Sequence, residues 1–158
     1  MKLKTRITVV FSTFFMGVSG IVATGSAAGS VEVVKGRFSE FSTGVSRGYD
    51  ISGPVRLTVG EDWTRVRANV RGLAPNTTYA SHLHESACSV ADGGGHYKND
   101  PAGPATPPNE LWLTYETNRA GTAHDASSAP WAVREGARSV VIHDQDGARI
   151  ACADLVVD

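Results

Sequence analysis

Val55-Arg56-Leu57-Thr58-Val59-Gly60-Glu61-Asp62-Trp63-Thr64-Arg65-Val66-Arg67-Ala68-Asn69-Val70-Arg71 decides the fold class. Apolar and polar residues alternate from Val55 to Val59 and again from Thr64 to Arg71, which is the period of a strand with one wet face. Gly60-Glu61-Asp62 turns the chain between them. Val66, Ala68 and Val70 point one way and the arginines the other. The two runs predict an antiparallel hairpin.

The same grammar continues toward the C-terminus. Gly72-Leu73-Ala74-Pro75-Asn76-Thr77 is a turn and Tyr79 to His84 the next strand. Residues 85–109 form a long loop, flexible from Ser89 to Gly95 and stiffened by Pro101, Pro104, Pro107 and Pro108; a loop of this length in a compact domain has a function or is disordered. Glu110 to Thr117 is a strand, Asn118 to Gly121 its turn, and Thr122 to Ser127 begins the partner strand. Ala137 to His143 is a buried strand, and Arg149 to Val157 closes the chain. There is no internal repeat and no amphipathic helix longer than two turns. Many short strands with regular turns give an all-β sandwich or barrel.

Residues 51–158 make up this β domain. Residues 29–50 are polar and Gly/Ser-rich, with Val31, Val33 and Val34, and are either an N-terminal arm or a first strand. Residues 1–28 have the layout of a signal peptide: a basic start at Lys2, Lys4 and Arg6, an apolar run from Ile7, and small residues from Ala23 to Ala28. Cleavage there leaves no membrane segment and predicts a secreted product, extracellular or periplasmic. It also lowers Lys+Arg from 15 to 12 while Asp+Glu stays at 16, a net charge of −4. That excludes a strongly basic nucleic-acid surface. In an exported chain, Cys88 and Cys152 are expected to pair. Asn76-Thr77-Thr78 fits a glycosylation acceptor, relevant only in a host that glycosylates.

The chemistry gathers at Tyr79-Ala80-Ser81-His82-Leu83-His84-Glu85-Ser86-Ala87-Cys88. On a strand, His82 and His84 share a face and Leu83 takes the opposite one. Two neighbouring imidazoles are half of a copper or zinc site. A β-sandwich could bring His96, on the long loop, and His143, at a strand end, to the same place, and four nitrogens suit Cu(II); the alternative is that each is a surface or satisfied core histidine. His124, beyond the next strand, is read as a surface residue.

These residues resemble a family, the copper/zinc superoxide dismutases, over roughly Val55 to Val157. Gly72-Leu73-Ala74-Pro75 followed by His82-Leu83-His84, then Gly95-His96, Arg138-Ser139-Val140-Val141-Ile142-His143 and Gly147-Ala148-Arg149-Ile150-Ala151-Cys152 match its segments in order. The resemblance implies a Greek-key β-sandwich or barrel. It implies His82, His84, His96 and His143 as copper ligands, and Cys88–Cys152 as the disulfide anchoring the active-site loop. Arg149 is implied as the residue that attracts superoxide, with His96 also carrying a proton. The family's further zinc histidines are missing after His96, and the segment from His143 to Arg149 is short. Both departures resemble a zinc-less, copper-only exported bacterial branch. Without zinc, the other nitrogen of His96 needs a partner. Glu110, at a strand start just after the Pro-rich loop, is expected to be that partner.

The implied function is a copper-dependent superoxide dismutase, its substrate the superoxide anion and its products O2 and hydrogen peroxide. A non-catalytic extracellular copper-binding protein on the same fold is the alternative. A cupin-like metal enzyme fits less well, because Glu85 follows the His pair immediately and the His143 and Cys152 segments have no place in it.

Overall fold

The computed structural model describes residues 30–157, so the expected signal peptide at 1–28 lies outside the described residues. In chain order the strands are β1 Glu32–Glu40, β2 Gly53–Val59, β3 Thr64–Val70, β4 Thr78–His84, β5 Trp112–Glu116, β6 Ala123–Ala129, β7 Ser139–His143, β8 Arg149–Asp154 and β9 Val156–Val157. One short helix, α1 Ser42–Ser46, follows β1. Among the described residues no helix is long and apolar enough to cross a membrane.

The hairpin is there. Val55 pairs Ala68 and Leu57 pairs Val66, all four buried, while Arg56 and Arg67 stand opposite each other on the outer face. The strands run in the order β5-β4-β7-β8-β1-β2-β3-β6, all pairs antiparallel, and the outermost two lie against each other in a nearly closed barrel. The connections β3 to β4 and β6 to β7 cross between the two halves of the barrel, which is the Greek-key pattern. Phe38, Leu57, Val66, Leu83, Leu113, Tyr115, Ile142 and Ile150 fill its interior.

The segment for which the sequence leaves an arm or a strand open forms β1. It pairs β2 through seven residues and β8 at Ser39 and Glu40. The last segment, expected as one strand, divides at Leu155: β8 pairs β7, and β9 crosses to β1.

The partner expected for residues 122–127 is corrected. β6 pairs β3 over all seven of its residues, from Val70↔Ala123 to Thr64↔Ala129, and not β5. β5 and β6 meet only at the barrel seam. There the Asp125 carboxylate accepts the Thr114 backbone N–H at 2.7 Å, a side chain standing in for a ladder bond.

Residues 85–109 are ordered against the barrel. Glu85 N–H donates to Gly95 O, Ser86 N–H to Gly93 O and Tyr97 N–H to Leu83 O, so the loop returns antiparallel along the end of β4. Its proline-rich lobe is pinned by Asn109, whose side chain accepts from Asp100 N–H and donates to Asp100 O and Pro104 O. This cover explains why all five residues of β7 are buried: Val140 and Ile142 face the core, and Val141 lies under the loop. Gly93 makes the contact possible. At its φ of +92°, an added Cβ would sit 2.8 Å from Val141 Cγ2 and 3.2 Å from Ser139 Oγ.

Candidate metal centre

Strand alternation places Tyr79, Ser81 and Leu83 inward and His82 and His84 outward, where the long loop covers them. β7 is the neighbour of β4, with Ala80 opposite His143 and His84 opposite Ser139. A bulge between Ile142 and His143 shifts the β7–β8 register, and bulges re-aim side chains. The fourth imidazole comes from the loop, where His96 makes an isolated bridge to His84. One ring nitrogen from each of His82, His84, His96 and His143 lies within 4.8 Å of the others. His124 is exposed on β6, outside the cluster.

The outer shell decides which nitrogen each ring turns inward. His84 Nδ1 lies 3.2 Å from Gly94 O, and His143 Nδ1 lies 3.2 Å from Gly147 O. A carbonyl only accepts, so both Nδ1 atoms carry the proton and each Nε2 keeps its lone pair. The two Nε2 atoms stand 3.3 Å apart. His96 Nδ1 lies 3.1 Å from Glu110 Oε2, which leaves its Nε2 for the cluster as well. His82 differs: its Nδ1 is buried without a hydrogen-bond partner. An orphaned buried imidazole nitrogen beside three inward lone pairs fits a metal ligand, and an all-nitrogen set fits copper among the first-row ions.

Glu110 is buried at 2% exposure. Its Oε2 also accepts Trp112 Nε1–H at 2.6 Å, while Oε1 has no partner. Trp112 sits edge-on to His82, ring centroids 5.1 Å apart, and is partly exposed. The sequence reading missed this tryptophan. The available signal was its i+2 spacing from Glu110, which puts both on one face of an extended chain.

Cys88 and Cys152 form a disulfide between the loop and β8. Cys88 N–H also donates to the Asp154 carboxylate at 2.7 Å. Arg149, at the start of β8, donates from Nη1 to Ala91 O at 2.8 Å and Asp92 O at 3.1 Å. Those carbonyls are turned toward it by a left-handed run in which Ala91 and Asp92 have φ of 47° and 52°. Asp144 and Asp146, the acids nearest Arg149 in sequence before it, are engaged elsewhere: Arg47 holds Asp144 at 2.6 Å and Asp146 at 2.7 Å. Arg149 therefore keeps its charge without a carboxylate partner among the described residues. That charge is felt at His84 and His143, which it disfavours protonating.

Burial is the main reason that His82 and His84 are pushed down to about 3, with His96 and the other imidazoles adding repulsion between charged rings. His143 is lowered from its usual value by burial as well. These rings are neutral at pH 7, the form that binds a metal. The same shifts set the acid stability of the metal-free protein. From pH 6.5 down to about 3, the unfolded chain takes up protons at His82 and His84 that the folded chain refuses. Stability falls with pH through that window and levels off below it. Urea midpoints of chelator-treated protein should drop steadily from pH 7 to pH 4; a flat midpoint would contradict the buried neutral cluster.

No protein-family model and no curated protein matches the chain. The disulfide, the β-barrel and the four-histidine cluster fit a copper-binding barrel and a protein of an oxidising compartment.

Proposed function

We propose that the protein is an exported, copper-dependent superoxide dismutase, resembling the zinc-less branch of the copper/zinc family. The observation that carries this reading is four imidazoles turned onto one centre beside an arginine with no carboxylate partner among the described residues. Copper bound there would supply one-electron chemistry, taking an electron from one superoxide and giving it to the next. The first superoxide leaves as O2, and the second takes the electron and two protons to leave as hydrogen peroxide.

The chain's own groups divide the remaining work. His82, His84 and His143 are the buried members and would hold the metal. His96 is the most open of the four, its side chain 32% exposed, and its backing is a carboxylate rather than a carbonyl. Glu110 engages Nδ1, so the open His96 Nε2 is the position to hold a proton and release it to the departing peroxide. The same carboxylate occupies the nitrogen through which His96 would bridge to a second metal. That supports a copper-only site with no zinc.

Arg149 supplies the positive field that attracts and orients the anion. In a protein of net negative charge a local cation beside the site governs encounter, and the effect is screened by salt. Arg149→Met should slow dismutation by roughly 10-fold or more at low salt and flatten its ionic-strength dependence. An unchanged rate and slope would remove Arg149 from the mechanism.

The deciding experiment measures bound metal and superoxide dismutation after loading with copper alone and with copper plus zinc. One copper, no zinc and rapid turnover are expected. Copper bound without turnover would make the protein a copper-binding one, and stoichiometric zinc would overturn the copper-only assignment.

A further inference from the structure

We propose that the outer face of β1, β2, β3 and β6 is a docking surface for a linear acidic polysaccharide. Three cationic side chains stand in direct cross-strand succession there: Lys35 opposite Arg56, and Arg56 opposite Arg67. Arg37 lies in the next row of the face, opposite Pro54, and Asn69 is paired with His124. All six of these polar side chains are exposed and line a groove of about 800 Å³.

Like charges placed directly opposite one another weaken a sheet. Nothing in the fold requires them here, since outward positions of a barrel accept any polar residue. The face also contradicts the charge of the chain. Residues 29–158 hold 12 Lys and Arg against 16 acids, yet the outward positions of β1, β2, β3 and β6 hold no acid at all. The one carboxylate in the groove lining, Asp125, is turned to backbone: Oδ2 accepts Thr114 N–H and Oδ1 accepts Ala126 N–H. Among the described residues no carboxylate pairs with Arg37, Arg56 or Arg67. Arg37, Arg56 and Arg67 are therefore guanidinium forks with no carboxylate counter-ion among the described residues, carried by the half of the barrel away from His82, His84 and His143.

The character of the lining selects the occupant. A protein partner is held by aromatic or aliphatic anchors seated in pockets, and the groove offers only Pro54, Val55, Ala68 and Ala126 as apolar side chains, of which Val55 and Ala68 are buried. A bilayer surface calls for an exposed apolar edge. Single-stranded nucleic acid calls for aromatic stacking platforms, and the groove lining has no Phe, Tyr or Trp. What remains is a polymer recognised by repeated oxyanions and hydroxyls. Arginine forks match carboxylate and sulfate oxygens two at a time, and Asn69 and His124 can both donate to and accept from hydroxyls. Four neighbouring strands span roughly 14 Å across the face, several sugar units of a polymer chain. Such a contact would hold the protein in an anionic matrix with its histidine cluster facing away.

The test titrates the full chain with polygalacturonate, with neutral dextran, with phosphatidylglycerol vesicles and with an oligodeoxythymidylate, at two salt concentrations. Polygalacturonate should bind, weaken as salt rises and outcompete the other three. Arg56→Gln with Arg67→Gln should weaken it at least ~10-fold, and Asn69→Asp, a near-isosteric change, should weaken it as well. Unfolding temperatures of these surface variants should stay at or above wild type, because like-charge repulsion is relieved. If the double variant fails to fold, Asn69→Asp decides alone. No binding at low salt, equal affinity in the folded variants, or tighter binding to vesicles or DNA would each overturn the proposal.

Discussion

Replacing Cys88 and Cys152 together by alanine should cost the protein about 4 kcal/mol of stability. The bridge spans 64 residues, and opening a loop of that size returns its closure entropy to the unfolded chain. For a domain whose whole stability is on the order of 5–15 kcal/mol, this is a large fraction. The unfolding temperature should fall by roughly 10–20 °C. The effect should also reach the histidine cluster, because the loop that Cys88 ties down carries His96 and the two carbonyls that hold Arg149. Guanidinium unfolding of the disulfide-free variant, with copper affinity measured beside it, checks both. An unchanged midpoint would mean that the hydrogen bonds from Glu85, Ser86 and Tyr97 hold the loop unaided.

Glu110→Gln should lower copper affinity or dismutation by about 10–100-fold, the range typical of outer partners of metal-bound histidines. The substitution keeps the shape of the side chain and an oxygen able to accept from His96 Nδ1–H and Trp112 Nε1–H. It removes the charge. The loss therefore reports what the negative charge beside His96 contributes to the site, rather than a cavity or a lost contact. Competition against a copper chelator gives the affinity, and pulse radiolysis gives the rate. If neither moves, the 3.1 Å contact positions the ring without tuning it.

Much of the barrel is legible in the sequence, because β2 and β3 alternate strictly and a period of two leaves one choice of face. β1 is less so: Val34 and Phe38 face inward, but Gly36 stands where the third inward side chain would be. A Cβ on Gly36 would lie 2.4 Å from Asp154 O, so that position is glycine for close approach to β8. The partner of β6 is not legible. Ala123-His124-Asp125-Ala126-Ser127-Ser128-Ala129 has almost no apolar alternation, and nearness in sequence points to β5 when the ladder forms with β3.

The site divides in the same way. The four histidines stand out through their order and the family resemblance, and the 14-residue step from His96 to Glu110 is closed by the loop. The partners of His84 and His143 are backbone carbonyls of Gly94 and Gly147, which no residue type announces. The carbonyl clamp on Arg149 needs left-handed backbone at Ala91 and Asp92, residues that seldom adopt it.

The clasp between Asp125 and Thr114 has a consequence for life in a crowded solution. The barrel's two outermost strands are its only free flanks among the described sheet pairs, and each offers bare amides and carbonyls that a second chain can read as a template. One carboxylate closes the gap between them and adds a negative charge where an incoming strand would have to lie. Losing that carboxylate would leave the Thr114 N–H open along the line where two barrels could pair edge to edge.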